Sequence, residues 1–245
     1  MLVHKPKKLT SFDQASSMNK NQDKPENHGK HWEEKDQKEL KKLYDDGETL
    51  LDLAKKYKRT KTSIELTIRK IEILNIIEER NIKKFIHFTD IRNIPTIEKY
   101  GILSIPRLKH QQILFHGNDK LRLDNEENGI SVSITSRNTH LLKSYEEKEP
   151  KTWAEIEIDP TIAASGHCLF FDSNAASRHT KYKNKSEKDL QSTEAFMGIF
   201  AEEVTNSSGQ TFTRKYKETN EPTDEQAEII VKFIIPKSKI LNWKE

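Results

Sequence analysis

The spacing of hydrophobic positions changes near residue 80. Between residues 31 and 75, apolar side chains recur every three or four positions, the period of an amphipathic helix. Gly47 is a natural helix terminator, and Thr60 and Thr62 are both suitable N-caps for a later helix. The pattern predicts three short helices with tight turns. Their stripes are Trp32, Leu40, Leu43 and Tyr44, then Leu50, Leu51, Ala54 and Tyr57, then Ile64, Ile68 and Ile71.

From residue 82 the period becomes that of short strands. The strand-like runs are FIHFTD, ISVSI, WAEIEI, CLFF and AEIIVKFII. Asp90 can cap a helix that ends at Gly101, and AFMGIF is helical in pattern. Segments 104–128 and 201–225 are predicted to be irregular, and they are longer than ordinary loops. Helices that precede and interrupt short strands indicate the α+β class rather than a doubly wound sheet.

Composition excludes several classes of protein. Apolar and charged residues each make up 33% of the chain, against roughly 45–50% and about 25% in typical domains. No apolar run approaches the ~18 residues of a membrane span, and the N-terminus lacks the apolar region of a signal peptide. We therefore expect a soluble cytoplasmic protein without a membrane partner. Cys168 is the single cysteine, which excludes an intramolecular disulfide and a cysteine zinc site; we expect it to be a buried structural thiol.

The net charge of +3 arises within residues 1–30, which hold six lysines and three acidic residues. This segment is rich in Lys, Asn, Gln and Ser and is predicted to be a disordered basic tail. It is either a solubilising arm or an electrostatic handle for nucleic acid.

Residues 31–78 resemble the Myb/SANT-like helix-turn-helix modules of DNA-binding proteins. The resemblance rests on the pattern W-x(7)-L-x-x-L-Y-x-x-G-x-x-L-x-x-L-A-x-x-Y-x-R-T-x-x-S-I. Basic residues flank the third helix, where such modules contact phosphates. The predicted contacts are Lys58, Arg59, Lys61, Arg69 and Lys70. The alternative is a three-helix packing module with a polar exterior.

Generic catalytic signatures are missing from the sequence. It has no G-x-G-x-x-G, G-x-x-x-x-G-K-[ST], H-E-x-x-H or G-x-S-x-G, and its histidines lack metal-ligand spacing, so we expect no metal site. His87 and Thr89 share one face of a predicted strand, with Asn93 one turn into the next helix. Arg122 precedes a strand in a polar loop, and Glu228 begins an apolar strand.

Six segments in order resemble the DarT family of nucleic-acid ADP-ribosyltransferases, over roughly residues 82–241. They are HFTDIRNIPTIEKYGILS, LRLDNEENGISVSI, WAEIEIDPTI, CLFFDSNAAS, TEAFMGIF and TDEQAEIIVKFIIP. The H-x-T-x-x-x-N of His87–Asn93 and the Q-A-E of Gln226–Glu228 are the most specific parts. The resemblance implies an ADP-ribosyltransferase domain over residues 82–245, with a split, mostly antiparallel sheet and flanking helices.

The resemblance also implies site residues. His87, Thr89 and Asn93 would line the site of NAD, the ADP-ribose donor. Glu228 would be the catalytic glutamate. Arg122 would contact NAD phosphate and assist deprotonation of the base, with Arg107 as a competitor for that position.

The resemblance further implies a toxin that modifies a base, typically thymine in single-stranded DNA. The setting would be a bacterial toxin–antitoxin or phage-defence system, with a macrodomain antitoxin that removes the modification. Arg214, Tyr216 and Phe212 are candidates for phosphate contacts and base stacking. Two alternatives remain: an enzyme that acts on RNA, and a non-enzymatic DNA-binding regulator with a nucleotide-sensing domain.

Overall fold

The computed structural model describes residues 24–117, 126–136, 143 and 151–245. The predicted basic tail lies outside these ranges up to residue 23. Residues 24–30 form turns, and the Asn27 side chain donates to the Tyr57 carbonyl oxygen at 3.0 Å. The chain divides into two compact units, and the boundary between Ile68 and Arg69 falls inside a helix. The predicted domain boundaries at residues 78 and 82 stay predictions.

The first unit contains the three predicted helices. They are α1 (Glu34–Asp45), α2 (Leu50–Tyr57) and the first half of α3 (Lys61–Glu79). Thr60 is the cap of α3, because its Oγ1 accepts the Ser63 N–H at 3.1 Å. The unit's core is Leu40, Leu53, Ala54, Ile64 and Ile68. The stripe predicted for α2 was wrong at Leu51, which is 59% exposed, because the face of this helix that packs on the core carries Leu53 instead, together with Leu50, Ala54 and Tyr57.

The second unit is built on an antiparallel sheet, which confirms the α+β class. Its six strands within the described ranges are β1 (Phe85–Asp90), β3 (Gly129–Ile134), β4 (Trp153–Ile158), β5 (Cys168–Phe171), β8 (Glu228–Lys232) and β10 (Ile240–Lys244). They pair in the order β10-β4-β1-β3-β8-β5. The short strands β2 (Ile102–Leu103) and β9 (Ile234–Ile235) pair separately.

The sheet splits between β1 and β3. Their register covers Phe85 with Ile134 and Ile86 with Ser133. On their other sides both strands stay paired: β1 with β4 over six residues and β3 with β8 over five. Separation of two central strands opens a cleft between walls that are each hydrogen-bonded to a neighbouring strand.

Two segments predicted to be irregular contain regular structure. Segment 104–128 includes a helix, and segment 201–225 includes the hairpin of β6 (Glu203–Thr205) and β7 (Thr211–Thr213). The predicted strand AEIIVKFII is interrupted at Phe233, whose φ is +72°. The helices of this unit are α4 (Ile94–Tyr100), α5 (Ile105–His110), α6 (Glu187–Leu190) and α7 (Thr193–Gly198).

Gly101 joins α4 to β2 at a point where another residue would not fit. Its φ is +79°, and its N–H donates to the Ile97 carbonyl oxygen at 2.8 Å. A Cβ built at this position would overlap the Ile235 carbonyl oxygen. The glycine therefore permits both the end of α4 and the pairing of β2 with β9.

Cys168 is buried in the core of the second unit, as predicted, and burial raises the pKa of its thiol to about 12.

Among the described residues, no helix is both long enough and apolar enough to cross a bilayer. No group of histidine, cysteine or acidic side chains in those ranges has the arrangement of a metal site.

Candidate active site

A cavity of about 180 Å³ occupies the split between β1 and β3. One wall is β1 from Ile86 to Thr89, and the opposite wall is β3 from Gly129 to Ser133. The chain from Gly101 to Leu108 and the segment Phe115–Gly117 close the remaining sides. Glu228 lines the cavity from the first residue of β8.

The carboxylate of Glu228 is held at both oxygens. The Ser131 hydroxyl donates to Oε2 at 2.9 Å, and the backbone N–H of Ala175 donates to Oε1 at 2.7 Å. Ser131 lies two residues from Ser133, the β3 residue directly opposite Glu228, so it reaches the carboxylate diagonally on one sheet face. The side chain is only half-buried, so the fixed carboxylate still faces the cavity.

His87 spans the split in the sheet. Its Nδ1 lies 2.9 Å from the Ser131 carbonyl oxygen, so Nδ1 carries the proton and donates it, and Nε2 remains an acceptor. Burial lowers the pKa of the imidazole. The ring is therefore neutral at pH 7 and offers the cavity an acceptor instead of a positive charge.

This lowered pKa predicts a pH effect on stability. The unfolded chain binds a proton at His87 near pH ~6.5, whereas the buried ring resists it. As pH falls below ~6.5, wild type should lose free energy of unfolding relative to His87→Gln, and the difference should be constant above that pH. Urea midpoints between pH 5 and 8 measure this, with the exposed His110→Gln as the control for replacing a histidine. A pH-independent difference would contradict it.

Asn93 holds one side of the cavity closed. Its Nδ2 donates to Thr89 Oγ1 and to the His116 carbonyl oxygen, both at 2.9 Å, and its Oδ1 accepts the His116 N–H at 2.8 Å. The amide is buried and largely occupied by these bonds. The structure thus brings His87, Thr89, Asn93 and Glu228 to one cavity, with Asn93 positioned to fix its wall.

The turn before Glu228 depends on residues that the sequence did not single out. Asp224 is 1% exposed; its carboxylate accepts the Ser173 hydroxyl at 2.6 Å and the Gln226 N–H at 2.9 Å.

Ser131 was also missed. Its alternation with Ser133 in an otherwise apolar strand was the available signal, because polar residues facing one side of a strand indicate a polar site there.

Arg214 organises the chain that leads to this turn. Its Nη1 donates to the Glu221 carbonyl oxygen at 2.7 Å, and Nη2 donates to those of Glu218 and Thr219 at 2.7 and 3.2 Å. These bonds engage both terminal nitrogens of the guanidinium with the loop itself, and the phosphate contact predicted for Arg214 stays a prediction. Tyr216, in the same loop, is 86% exposed.

Arg59 also has a structural role. It is 8% exposed, and its guanidinium donates to the Lys30 and His31 carbonyl oxygens, both at 2.8 Å, and stacks over Trp32. The phosphate contact predicted for Arg59 stays a prediction, and both terminal nitrogens of its guanidinium are engaged by these carbonyl oxygens. The other predicted basic contacts are exposed or half-buried: Lys58, Lys61, Arg69 and Lys70.

Arg122, the predicted partner of the NAD phosphate, lies outside the described residues. Its competitor Arg107 is exposed on α5. Phe212 is half-buried on β7.

Comparison with known proteins identifies the family. The family model described as ssDNA thymidine ADP-ribosyltransferase, DarT, matches residues 86–242. The chain belongs to the DarT family. Membership confirms the predicted resemblance to this family over the second unit.

One solved structure similar to this DarT chain is that of Thermosipho africanus DarTG in complex with ADP-ribose. The two chains are 17% identical, with a TM-score of 0.38. The match covers 66% of this chain and 43% of that chain, so this chain spans less than half the length of that relative. The search of curated proteins finds no match.

Proposed function

We propose that this chain transfers ADP-ribose from NAD to a thymine base of single-stranded DNA. The observation that carries the proposal is the Glu228 carboxylate, held by Ser131 and Ala175 at the cavity in the split sheet of a DarT-family domain. A fixed carboxylate beside a ribose suits a reaction that develops positive charge at the anomeric carbon.

Glu228 acts on the bond that breaks. As the bond between nicotinamide and ribose lengthens, its electron pair leaves with nicotinamide and positive charge grows on the sugar. The carboxylate accepts a hydrogen bond from a ribose hydroxyl and stabilises that charge, as in glycoside chemistry. Because Ser131 and Ala175 fix both oxygens, the carboxylate does not need to reorient during the reaction.

Neighbouring residues orient the donor and activate the acceptor. Nε2 of His87 accepts a hydrogen bond from a hydroxyl of the donor, and Asn93 keeps the cavity wall in place through Thr89 and His116. The base bonds to the anomeric carbon as that carbon's bond to nicotinamide breaks, and its N–H proton passes to water. We assign Arg122 to phosphate contact and to assisting this deprotonation, as the family resemblance implies, because a thymine-type N–H is a poor nucleophile until ionised.

A toxin role is part of the proposal. Modification of DNA bases is harmful to a cell, and we propose that a macrodomain antitoxin reverses it in a bacterial toxin–antitoxin or phage-defence system. The family membership supports this setting.

Labelled NAD tests the proposal directly. The purified chain is incubated with matched single-stranded DNA, duplex DNA and RNA, and mass analysis identifies the modified base. Label on thymine of single strands is expected. Transfer to RNA alone would replace the acceptor in the proposal, and release of no nicotinamide under any condition would overturn it.

We also propose that the first unit binds nucleic acid as a helix-turn-helix module. Support comes from Lys55, Lys58 and Lys61, which surround the turn between α2 and α3 with side chains 69%, 59% and 60% exposed. Their ion pairs with Asp52, Glu26 and Glu65 are surface pairs, which are weak enough to be exchanged for phosphate.

Replacing these three lysines with glutamine should weaken nucleic-acid binding and reduce its salt dependence. Each lost phosphate contact removes about 0.7–0.9 from the slope of log K against log salt, so the slope should fall by about two to three. The charge-matched control replaces Lys35, Lys38 and Lys42 of α1. Equal slopes for the two triple variants would contradict the module's role, whatever the activity of the second unit.

A further inference from the structure

Ser104 carries a buried hydroxyl without a partner at the cavity. The residue is 1% exposed, and within the described ranges its Oγ makes no hydrogen bond. It precedes α5, yet the side chain makes no capping bond to that helix. A buried polar group without a partner costs free energy, so its presence in the wall of a binding cavity indicates a ligand atom that completes it.

The end of the cavity at Ser104 is distant from Glu228. The Ser104 N–H donates to the Phe233 carbonyl oxygen at 3.0 Å, and Phe233 follows Glu228 by five residues at the far end of β8. At about 3.3 Å per residue, the two ends are separated by about 16 Å along the strand.

The two rings of NAD lie at different distances from the reacting carbon. The nicotinamide ring is bonded to that carbon and must stay beside Glu228, whereas the adenine lies beyond two riboses and a pyrophosphate. Around Ser104 the lining is mainly aliphatic, from Leu103, Ile105, Leu108 and Ile130. An aliphatic wall with one hydroxyl suits a flat heterocycle that has polar atoms on its edge.

We propose that Ser104 binds the adenine ring of the donor, with its Oγ hydrogen-bonded to a ring-edge nitrogen. The inference rests on the proposed function, since it needs NAD or ADP-ribose in this cavity. Ser104 then fixes the position of the adenosine half, while Glu228 acts on the opposite ribose.

Calorimetry on the full chain tests Ser104→Ala and Ser104→Cys, with Ser238→Ala as an exposed-serine control. Loss of one buried hydrogen bond should weaken ADP-ribose and AMP binding about three- to tenfold for alanine and less for cysteine. Binding of nicotinamide mononucleotide should not change. The melting temperature of Ser104→Ala should stay equal or rise, because removal of an unpaired buried hydroxyl costs the fold nothing.

Different results would overturn different claims. Unchanged AMP affinity in Ser104→Ala, or a loss confined to nicotinamide mononucleotide, would refute the adenine contact. A lower melting temperature with unchanged AMP affinity would make Ser104 a structural residue. Wild-type protein that binds neither ADP-ribose nor AMP would instead refute the proposed function.

Discussion

Replacing Glu228 with glutamine should reduce ADP-ribose transfer about 10²–10³-fold while leaving ADP-ribose affinity within a few-fold of wild type. The amide has the shape of the carboxylate and keeps an oxygen for the Ala175 N–H, so the fold should persist. It lacks the negative charge that stabilises the developing cation, and that interaction exists mainly in the transition state. The loss should therefore appear in kcat, measured with labelled NAD and a saturating oligonucleotide.

The control for this variant is Glu225→Gln, three residues earlier. Glu225 is exposed and pairs with Lys217 at 3.0 Å, so the variant makes the same change of charge outside the cavity. Transfer at the wild-type rate by Glu228→Gln would remove the residue from the mechanism. A loss that appears only as weaker ADP-ribose binding would make it a binding residue.

Gly101→Ala should be the most damaging single-methyl change, with a loss of at least about 3 kcal/mol in the free energy of unfolding. Its φ of +79° disfavours any Cβ, and the new methyl would collide with the Ile235 carbonyl oxygen on β9. For a chain of this size the melting temperature should fall by about 6–12 °C. Thermal unfolding followed by circular dichroism measures it.

Gly209→Ala separates the two causes of this loss. Gly209 has a φ of +84°, but no atom lies within 4 Å of a Cβ built there. It should therefore lose only about 1 kcal/mol, the cost of the backbone conformation alone. Equal losses in the two variants would mean that the close approach of β2 to β9 is not what requires glycine at position 101.

The strands of the six-stranded sheet in the second unit and the three helices of the first unit were predictable, because their hydrophobic periods are local. FIHFTD and WAEIEI became β1 and β4, and Asp90 caps the next turn as expected, accepting the Arg92 N–H at 3.0 Å. The hairpin β6–β7 was not predicted, because its three-residue strands are mostly exposed and have too few apolar positions to show a period.

The candidate site was predictable only through family resemblance. Nothing local distinguishes Glu228 from an ordinary charge at the start of a strand; its role depends on Ser131, 97 residues earlier in the chain. The same limit explains Arg59 and Arg214. Their spacing suggested phosphate contacts, but the carbonyl oxygens that engage them come from positions that a sequence does not mark.

The carbonyl oxygens that accept hydrogen bonds from Arg214 have a consequence for how this loop can change in evolution. Every amino acid supplies the same main-chain oxygen, so the contacts of Arg214 do not depend on which side chains stand at Glu218 and Thr219. Glu221 differs, because its carboxylate also accepts the Glu218 N–H at 3.0 Å. The outward-facing positions, including Tyr216, are therefore free to mutate without refolding the loop. Such a loop can change its exposed side chains while the contacts of Glu228 with Ser131 and Ala175 are kept.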